Sequence, residues 1–310
     1  MEQVAGNGVA AEAAADPSVR LLLDALPLPR RTRVVDVGAN PFEDEAPYAR
    51  LLAMGGCDVV GFEPQPAAFA ALKARTSDRE TYFPFAVGDG SDRDLRLYRG
   101  HGFASVFDPY LPGTRLMPLR GWHEIARKIP FTTVTLDAAP DVGPFDLLKI
   151  DIQGGELDVF RGGRTALKEA VAVITEVRFF RLYEGEPMLG AVDQELRAQG
   201  FELHKFQHTK GRALHNSQID RLRHHRLRDQ LLDGDAIYVR NITRPGAMSD
   251  AQVAHLALLA ASVIGSPTLA LVCLDELVGR GSVEGSLPAR YADSLPLDVR
   301  RVPAADEGRA

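Results

Sequence analysis

Two short motifs near the start of the chain place glycine and carboxylate residues at the ends of apolar segments. The first, Asp36-Val-Gly-Ala-Asn40, follows the apolar run Val34-Val35, and the second, Asp58-Val-Val-Gly-Phe-Glu63-Pro64, ends on a carboxylate. This pattern is typical of a β-α-β unit in which a glycine turn admits a ligand and a carboxylate accepts hydrogen bonds from ribose hydroxyls. The predicted ligand-binding residues of this unit are Asp36, Gly38, Asn40 and Glu63.

The residues of the glycine turn also indicate which of two classes of cofactor can bind. A dinucleotide site needs the glycines of a G-x-G-x-x-G turn, but only Gly38 is present, and Asn40, Pro41 and Glu43 stand where others would be. The run Glu43-Asp-Glu45 then puts negative charge where a phosphate would lie. The turn therefore favours a cationic cofactor without phosphate, such as S-adenosyl-L-methionine, over the nicotinamide cofactor of an oxidoreductase.

Carboxylates that could take part in catalysis follow the central apolar run Phe145-Asp-Leu-Leu-Lys-Ile150. Ligands of open α/β sheets bind beyond the carboxyl ends of the strands, which is where Asp151 and Glu156 are expected. Asp151 is the first candidate for a base or for orienting an acceptor, whereas Glu156 could also simply favour a first helical turn. With Glu176 they could hold magnesium through oxygen ligands, but their spacing does not indicate a metal site, and none is predicted.

Other candidates have equally plausible structural explanations. Asp89, in Gly88-Asp-Gly90, could accept a hydrogen bond from an adenine amine or could stabilise a turn. His204 and His208 are predicted to flank the end of a strand, and either could act as a general base, with His204 the catalytic candidate. The basic run Arg221–Arg228 could meet a phosphate or carboxylate of the substrate, or could be a solvated surface.

Composition limits the kind of protein this can be. The 310 residues suffice for one large α/β domain with appendages, and the net charge of −6 argues against general nucleic-acid binding. No apolar run reaches the length of a membrane span, and the N-terminus lacks the pattern of a secretory signal. We therefore expect a cytoplasmic protein with no nucleic-acid partner; the sequence does not fix an oligomeric state.

Strand and helix patterns alternate along most of the chain, which predicts a mainly parallel sheet covered on both faces. Residues 90–135 interrupt this alternation and are predicted to be a lid or substrate loop. We expect a flexible tail over 1–16, one domain over 17–243, and a helical extension with a mobile tail over 244–310. The predicted strands lie near 33–37, 58–62, 82–87, 145–150, 171–177, 201–207 and 235–240.

Taken in order, these motifs resemble the FkbM-type methyltransferases. The resemblance covers about residues 30–240 and rests mainly on Val35-Asp-Val-Gly-Ala-Asn40 and Asp146-Leu-Leu-Lys-Ile-Asp151-Ile-Gln-Gly154 with Glu156. It implies a Rossmann-like class I methyltransferase fold, in which a seven-stranded, mostly parallel sheet has its last strand antiparallel. It further implies S-adenosyl-L-methionine as cofactor and O-methylation of a carbohydrate-like or natural-product hydroxyl, and therefore a small-molecule or glycan acceptor. The alternative to an enzyme is a non-catalytic protein that binds the cofactor and acts as a partner of other proteins.

Overall fold

The computed structural model describes residues 16–42, 45–99, 104–117, 121 and 123–301. Glu43 and Asp44 lie outside the described residues, so the negative charge expected beside the glycine turn stays a prediction there. The chain divides into two compact units: Met1–Arg31, Ala46–Gly56 and Arg244–Ala310 form one, and Thr32–Glu45 and Cys57–Thr243 form the other. The domain limits expected from the sequence stay a prediction.

The second unit, which we call the sheet unit, contains every strand found among the described residues. Its strands are β1 Thr32–Val37, β2 Cys57–Phe62, β3 Glu80–Phe83, β4 Ala86–Val87, β5 Asp92–Tyr98, β6 Ala104–Ser105, β7 Ile125–Val134, β8 Leu147–Ile150, β9 Ala172–Arg178, β10 Phe201–Arg212 and β11 Gln230–Arg240. The α-helices in the described part of the chain are α1 Pro17–Ala25, α2 Ala49–Ala53, α3 Pro66–Arg75, α4 Leu111–Thr114, α5 Glu156–Arg161, α6 Leu189–Ala198, α7 Asp250–Ser262, α8 Pro267–Gly279 and α9 Leu287–Ser294.

Seven strands form the main sheet in the order β10-β11-β9-β8-β1-β2-β3. The strands from β9 to β3 pair in parallel, and β11 is antiparallel to both β9 and β10. This confirms the predicted seven-stranded, mostly parallel sheet with its last strand antiparallel. The central strands are apolar without alternation because both faces are covered; every residue of β9, for example, is buried.

A smaller four-stranded sheet, in the order β4-β7-β5-β6, occupies the region predicted to be a loop. Its main pair, β5 and β7, is antiparallel from Asp92↔Thr132 to Tyr98↔Ile125. The single strand expected near 82–87 is two strands, because β3 pairs within the main sheet whereas β4 pairs with β7. Pro84, which lies between them, has no N–H to donate to a ladder, so a break at this position is favoured.

The first unit is helical. The segment predicted to be a helical extension contains α7 and α8, and α7 begins with a capping box between Ser249 and Gln252. Beyond α8, where we expected mobile chain, α9 buries Leu287 and Tyr291. Within the described part of the chain, no helix has the length and apolarity needed to cross a lipid bilayer.

Candidate active site

The glycine turn after β1 brings the carboxyl ends of three strands together. The N–H groups of Gly38 and Ala39 donate to the carbonyl of Phe62, at 2.9 and 3.2 Å, and so join the ends of β1 and β2. Gly38 has a φ of +81°, and a Cβ at this position would lie 2.1 Å from the carbonyl oxygen of Asp151. Only glycine fits here, because the conformation is left-handed and the end of β8 occupies the space a side chain would need.

Asp36 lies in β1, two residues before Gly38, and its side chain is buried. Its Oδ1 is 3.3 Å from Nζ of Lys149 in β8, and the same ammonium donates to the carbonyl of Gly38 at 3.3 Å. The ammonium group that Asp36 contacts in this structure is therefore that of Lys149. Lys149 lies in the motif that leads to Asp151 but was not predicted as a site residue. Its charge inside an otherwise apolar strand was the signal that could have identified it as one.

Glu63 and Asn40 lie on either side of the glycine turn. Glu63 is buried directly after β2, and its Oε1 accepts a hydrogen bond from the N–H of Gln65 at 2.7 Å, at the start of α3. Asn40 accepts one from the N–H of Phe42 at 3.0 Å. The structure places Glu63 beside the glycine turn, where the sequence predicts a ribose-binding carboxylate, and the Glu63 carboxylate contacts the start of α3.

The side chain of Gln153 connects two carboxylates beyond β8 and β9. Its Nε2 donates to Oδ1 of Asp151 at 3.1 Å and to Oε2 of Glu176 at 3.0 Å. Its Oε1 accepts from Nη2 of Arg178 at 2.6 Å, which fixes the orientation of the amide. Gln153 has a φ of +59°, an uncommon conformation for a residue other than glycine. Three charged groups therefore hold this side chain in one position between Asp151 and Glu176.

Arg178, at the end of β9, is the cation at the centre of this acidic region and is only 3% exposed. Its guanidinium lies 2.9 Å from Glu176, 3.1 Å from Asp233 and 3.5 Å from Glu186. Desolvation lowers the pKa of Arg178, but these carboxylates outweigh it and raise the pKa further above its usual range. Burial, followed by the nearby charge of Asp151, raises the pKa of Glu176 well above its ordinary value.

Glu156, at the start of α5, is buried beside Asp151 and binds the backbone of the turn after β8. Its carboxylate accepts from the N–H of Ile152 at 3.0 Å and from that of Gly154 at 3.0 Å. Burial is the main reason that its pKa rises to about 7, and the charge of Asp151 adds to the shift. Glu156 therefore fixes the turn that carries Asp151 and Gln153, and it can change protonation state near neutral pH.

Among the described residues, Asp151, Glu156 and Glu176 are the three acidic groups close enough to share a metal ion, with ligand atoms within 4.8 Å of one another. Such oxygen ligands suit magnesium. The Gln153 amide already bridges two of them, however, and Arg178 balances part of their charge. The expectation that the site needs no metal stays a prediction.

The pairing of β9, β11 and β10 extends the acidic edge to a histidine. Glu176 pairs with Asp235, which pairs in turn with His208, so the three residues lie side by side on neighbouring strands. Nδ1 of His208 is 3.3 Å from Oδ2 of Asp235. Burial raises the pKa of Asp235, His208 opposes the shift, and Asp151 adds to it. The structure therefore brings His208 to the edge at which Asp151 lies.

His204 does not lie beside the end of a strand, as the sequence predicted, because β10 continues to Arg212 instead of ending near residue 207. It is half-buried in the middle of the strand, beside Leu203, which pairs with Tyr238. Desolvation and the neighbouring Lys205 lower its pKa. Of the two histidines considered, only His208 reaches the carboxyl edge of the sheet.

Asp89 lies in the turn between β4 and β5. Its Oδ1 accepts from the N–H and the hydroxyl of Ser91, at 3.0 and 2.6 Å, and its Oδ2 pairs with Arg93 at 2.5 Å. The hydrogen bond from the Ser91 hydroxyl is the main reason that the pKa of Asp89 falls to about 2. The structure shows the turn contacts proposed as the alternative for Asp89, and its role at an adenine stays a prediction.

Sequence comparisons identify a family for this arrangement. A family model described as "Methyltransferase FkbM domain" matches residues 36–203, more than half of the chain, which confirms the resemblance seen in the motifs. A curated relative, the 2-O-methyltransferase NoeI of Sinorhizobium fredii, is 29% identical over 170 residues, which make up 51% of this chain and 68% of the relative.

Solved structures of methyltransferases are also similar at low identity. Magnesium protoporphyrin IX methyltransferase of Synechocystis PCC 6803, solved with bound SAM, is 12% identical, with a TM-score of 0.36 over 76% of this chain and 77% of that one. A putative methyltransferase of Thermoplasma acidophilum is 10% identical, with a TM-score of 0.34 over 69% of this chain and 70% of that one. The family assignment rests on the sequence match and not on these scores.

Proposed function

Because the chain belongs to the FkbM methyltransferase domain family, we propose that it methylates a hydroxyl group of a carbohydrate-like or natural-product acceptor. It is a methyltransferase, and S-adenosyl-L-methionine is its cofactor. The observation that carries the proposal is the carboxylate of Asp151, which Gln153 holds at the carboxyl edge of the central strand. The relative at 29% identity is named a 2-O-methyltransferase, which supports oxygen as the atom that is methylated.

The residues around the glycine turn fit the cofactor. The side-chain space at Gly38 is filled by the Asp151 carbonyl, so the turn packs directly against the end of β8, where Asp151 lies. Glu63 would accept hydrogen bonds from the ribose, and Asp36 with its partner Lys149 would lie toward the amino-acid end. The bound cofactor supplies a methyl group on a positively charged sulfur, which is a good electrophile.

The protein must then align a hydroxyl and accept its proton. A sugar hydroxyl is too weakly acidic to react unaided near pH 7, so a positioned base contributes to the rate. In our proposal Asp151 receives this proton or orients the hydroxyl. Gln153 and Arg178 act as positioning residues, because their hydrogen bonds fix the direction of the Asp151 carboxylate.

The pair of His208 and Asp235 supports a second assignment of the base. Nδ1 of His208 faces Asp235, which leaves Nε2 as the nitrogen that can accept a proton from an acceptor. His208 is about half exposed, so an acceptor can reach it. This assignment is favoured over the predicted role of His204, which lies mid-strand.

Replacement of Asp151 by asparagine separates these assignments, because it keeps the shape of the side chain and removes its charge. We expect turnover to fall about a hundredfold or more while S-adenosylmethionine affinity changes little. The assay is release of S-adenosylhomocysteine over a panel of free sugars and glycosides, with exposed Asp94→Asn as the matched control. Near-full turnover in Asp151→Asn together with a large loss in His208→Gln would assign the base to His208. Loss of activity on adding a chelator would make Asp151 a metal ligand.

A further inference from the structure

The connection between β10 and β11 is strongly basic in an otherwise acidic protein. From Lys210 to Arg228 the sequence has six lysine and arginine residues and one carboxylate, Asp220, which gives this segment a formal charge of +5 in a chain of −6. We refer to its five arginines as the arginine cluster. They are Arg212, Arg221, Arg223, Arg226 and Arg228.

The charge of the arginine cluster is not balanced by neighbouring carboxylates. Among the described residues, no arginine of the cluster has an acidic group within 4.0 Å, and Arg221 bonds only to the neutral Gln218, at 3.1 Å. All five side chains are exposed. By contrast, several exposed arginines elsewhere in the sheet unit are paired with carboxylates, as Arg197 is with Asp193 at 2.8 Å. A merely solvated surface would more often mix charges of both signs.

The segment that carries the cluster is structured. The pairing of β10 with β11 continues as far as Arg212↔Gln230, at the base of the connection. Leu214 packs against the buried cluster that contains Tyr183 and Leu232, and the N–H of His215 donates to the carbonyl of Leu116 at 2.8 Å. The start of the segment and the strand that follows it are therefore anchored to the rest of the sheet unit.

Strand direction places this segment at the edge where the reaction is proposed. β10 is parallel to β9 in the sheet, so its last residues and the connection after it lie at the carboxyl edge. Lys210 links the two regions, because its Nζ is 3.5 Å from Asp233, a partner of Arg178. Desolvation lowers the pKa of Lys210, but the charges of Asp233, Glu176 and Asp151 outweigh it, so the pKa is raised overall. The ammonium of Lys210 therefore interacts electrostatically with the acidic site.

We propose that the arginine cluster binds an anionic group of the methyl acceptor: a sulfate, phosphate or carboxylate on the molecule whose hydroxyl is methylated. Planar guanidinium groups recognise such oxyanions with paired hydrogen bonds. The inference rests on the proposed function, because it assigns the substrate class of the same site. A small charged acceptor is favoured over a nucleic acid because the rest of the protein is acidic and would repel a long polyanion.

The test compares two probes that differ only in charge, a dextran oligosaccharide and its sulfated form. Binding is measured by calorimetry with the full-length protein, with S-adenosylhomocysteine present, at low and high salt. The variant Arg212→Gln/Arg223→Gln/Arg226→Gln/Arg228→Gln removes four exposed charges. The control Arg20→Gln/Arg75→Gln/Arg127→Gln/Arg244→Gln removes four exposed charges elsewhere. We expect salt-sensitive binding of the sulfated probe alone, about tenfold or more weaker in the cluster variant but unchanged in the control.

Three outcomes overturn the proposal: equal binding of both probes, no binding of the sulfated probe, or equal losses in both variants. Tighter binding of polyuridylate, or of vesicles containing phosphatidylglycerol, than of the sulfated probe would also overturn it, in favour of a macromolecular anion. S-adenosylmethionine affinity is measured in the same variants. Because the cluster is remote from the glycine turn in sequence, failed cofactor binding in the wild type would count against the proposed function, whereas normal cofactor binding without anion binding would count against the cluster alone.

Discussion

Replacing Gln153 with alanine should destabilise the protein and reduce turnover together. The substitution removes three hydrogen bonds, to Asp151 at 3.1 Å, to Glu176 at 3.0 Å and from Arg178 at 2.6 Å. Each involves a charged group, and such bonds contribute about 1.5–3 kcal/mol. The losses do not add fully, since Arg178 keeps its carboxylate partners. We therefore expect the free energy of unfolding to fall by about 3 kcal/mol.

Two further variants at this position separate the contacts from the backbone conformation. Gln153→Gly loses the same contacts but tolerates the φ of +59°, so it should be no less stable than Gln153→Ala. Gln153→Glu replaces a donor with a third carboxylate beside Asp151 and Glu176, so magnesium should restore part of its stability. The assays are urea unfolding at pH 7.5, with and without magnesium, and the kcat and KM of each variant. An unfolding free energy of Gln153→Ala within about 0.5 kcal/mol of wild type would refute the assigned network.

Three more predictions concern the turn, the ribose and pH. Gly38→Ala should lower the unfolding free energy by about 3 kcal/mol or more, because its Cβ would lie 2.1 Å from the Asp151 carbonyl, whereas Gly190→Ala, with open space around it, should not destabilise. Glu63→Ala should weaken S-adenosylmethionine binding by about 1–3 kcal/mol in calorimetry, and unchanged affinity in a folded variant would remove Glu63 from the site. The folded pKa of Glu156, about 7, lies above its ordinary 4.5, so its protonated form stabilises the fold below pH 4.5 and that stabilisation disappears as pH rises through 7. This group should account for about 3 kcal/mol of decline between pH 4.5 and 8, and Glu156→Gln, which cannot ionise, should lack it; equal slopes in urea unfolding would contradict this.

Sequence patterns were sufficient to predict the main sheet and the edge of it at which the candidate site residues lie. The strands β1, β2 and β8 are short and mainly apolar, and Gly38, Glu63 and Asp151 follow them directly in the sequence. Local pattern is sufficient for such features, since the carboxyl ends of neighbouring parallel strands necessarily meet at one edge.

Which charged side chains contact one another depends on the packing of strands that are far apart in the sequence. Lys149 pairs with Asp36 from a strand distant in sequence, and Arg178 fixes Gln153 from the next strand, so neither contact follows from spacing along the chain. Residues 90–135, predicted to be a lid or substrate loop, contain most of the small sheet. The β5–β7 ladder was not predicted because it joins two segments whose pairing no local sequence pattern specifies.

The choice between His204 and His208 shows the limit most clearly. The sequence pattern predicted that β10 would end near residue 207. The strand continues to Arg212 because β11 supplies a pairing partner along its whole length. Register shifts between Leu203 and Lys205 and between Phe206 and His208 then set which residue lies opposite Asp235. A β-bulge changes which side chain faces a given partner, and its position depends on the paired strand, so the sequence of β10 alone could not place His208 at the site.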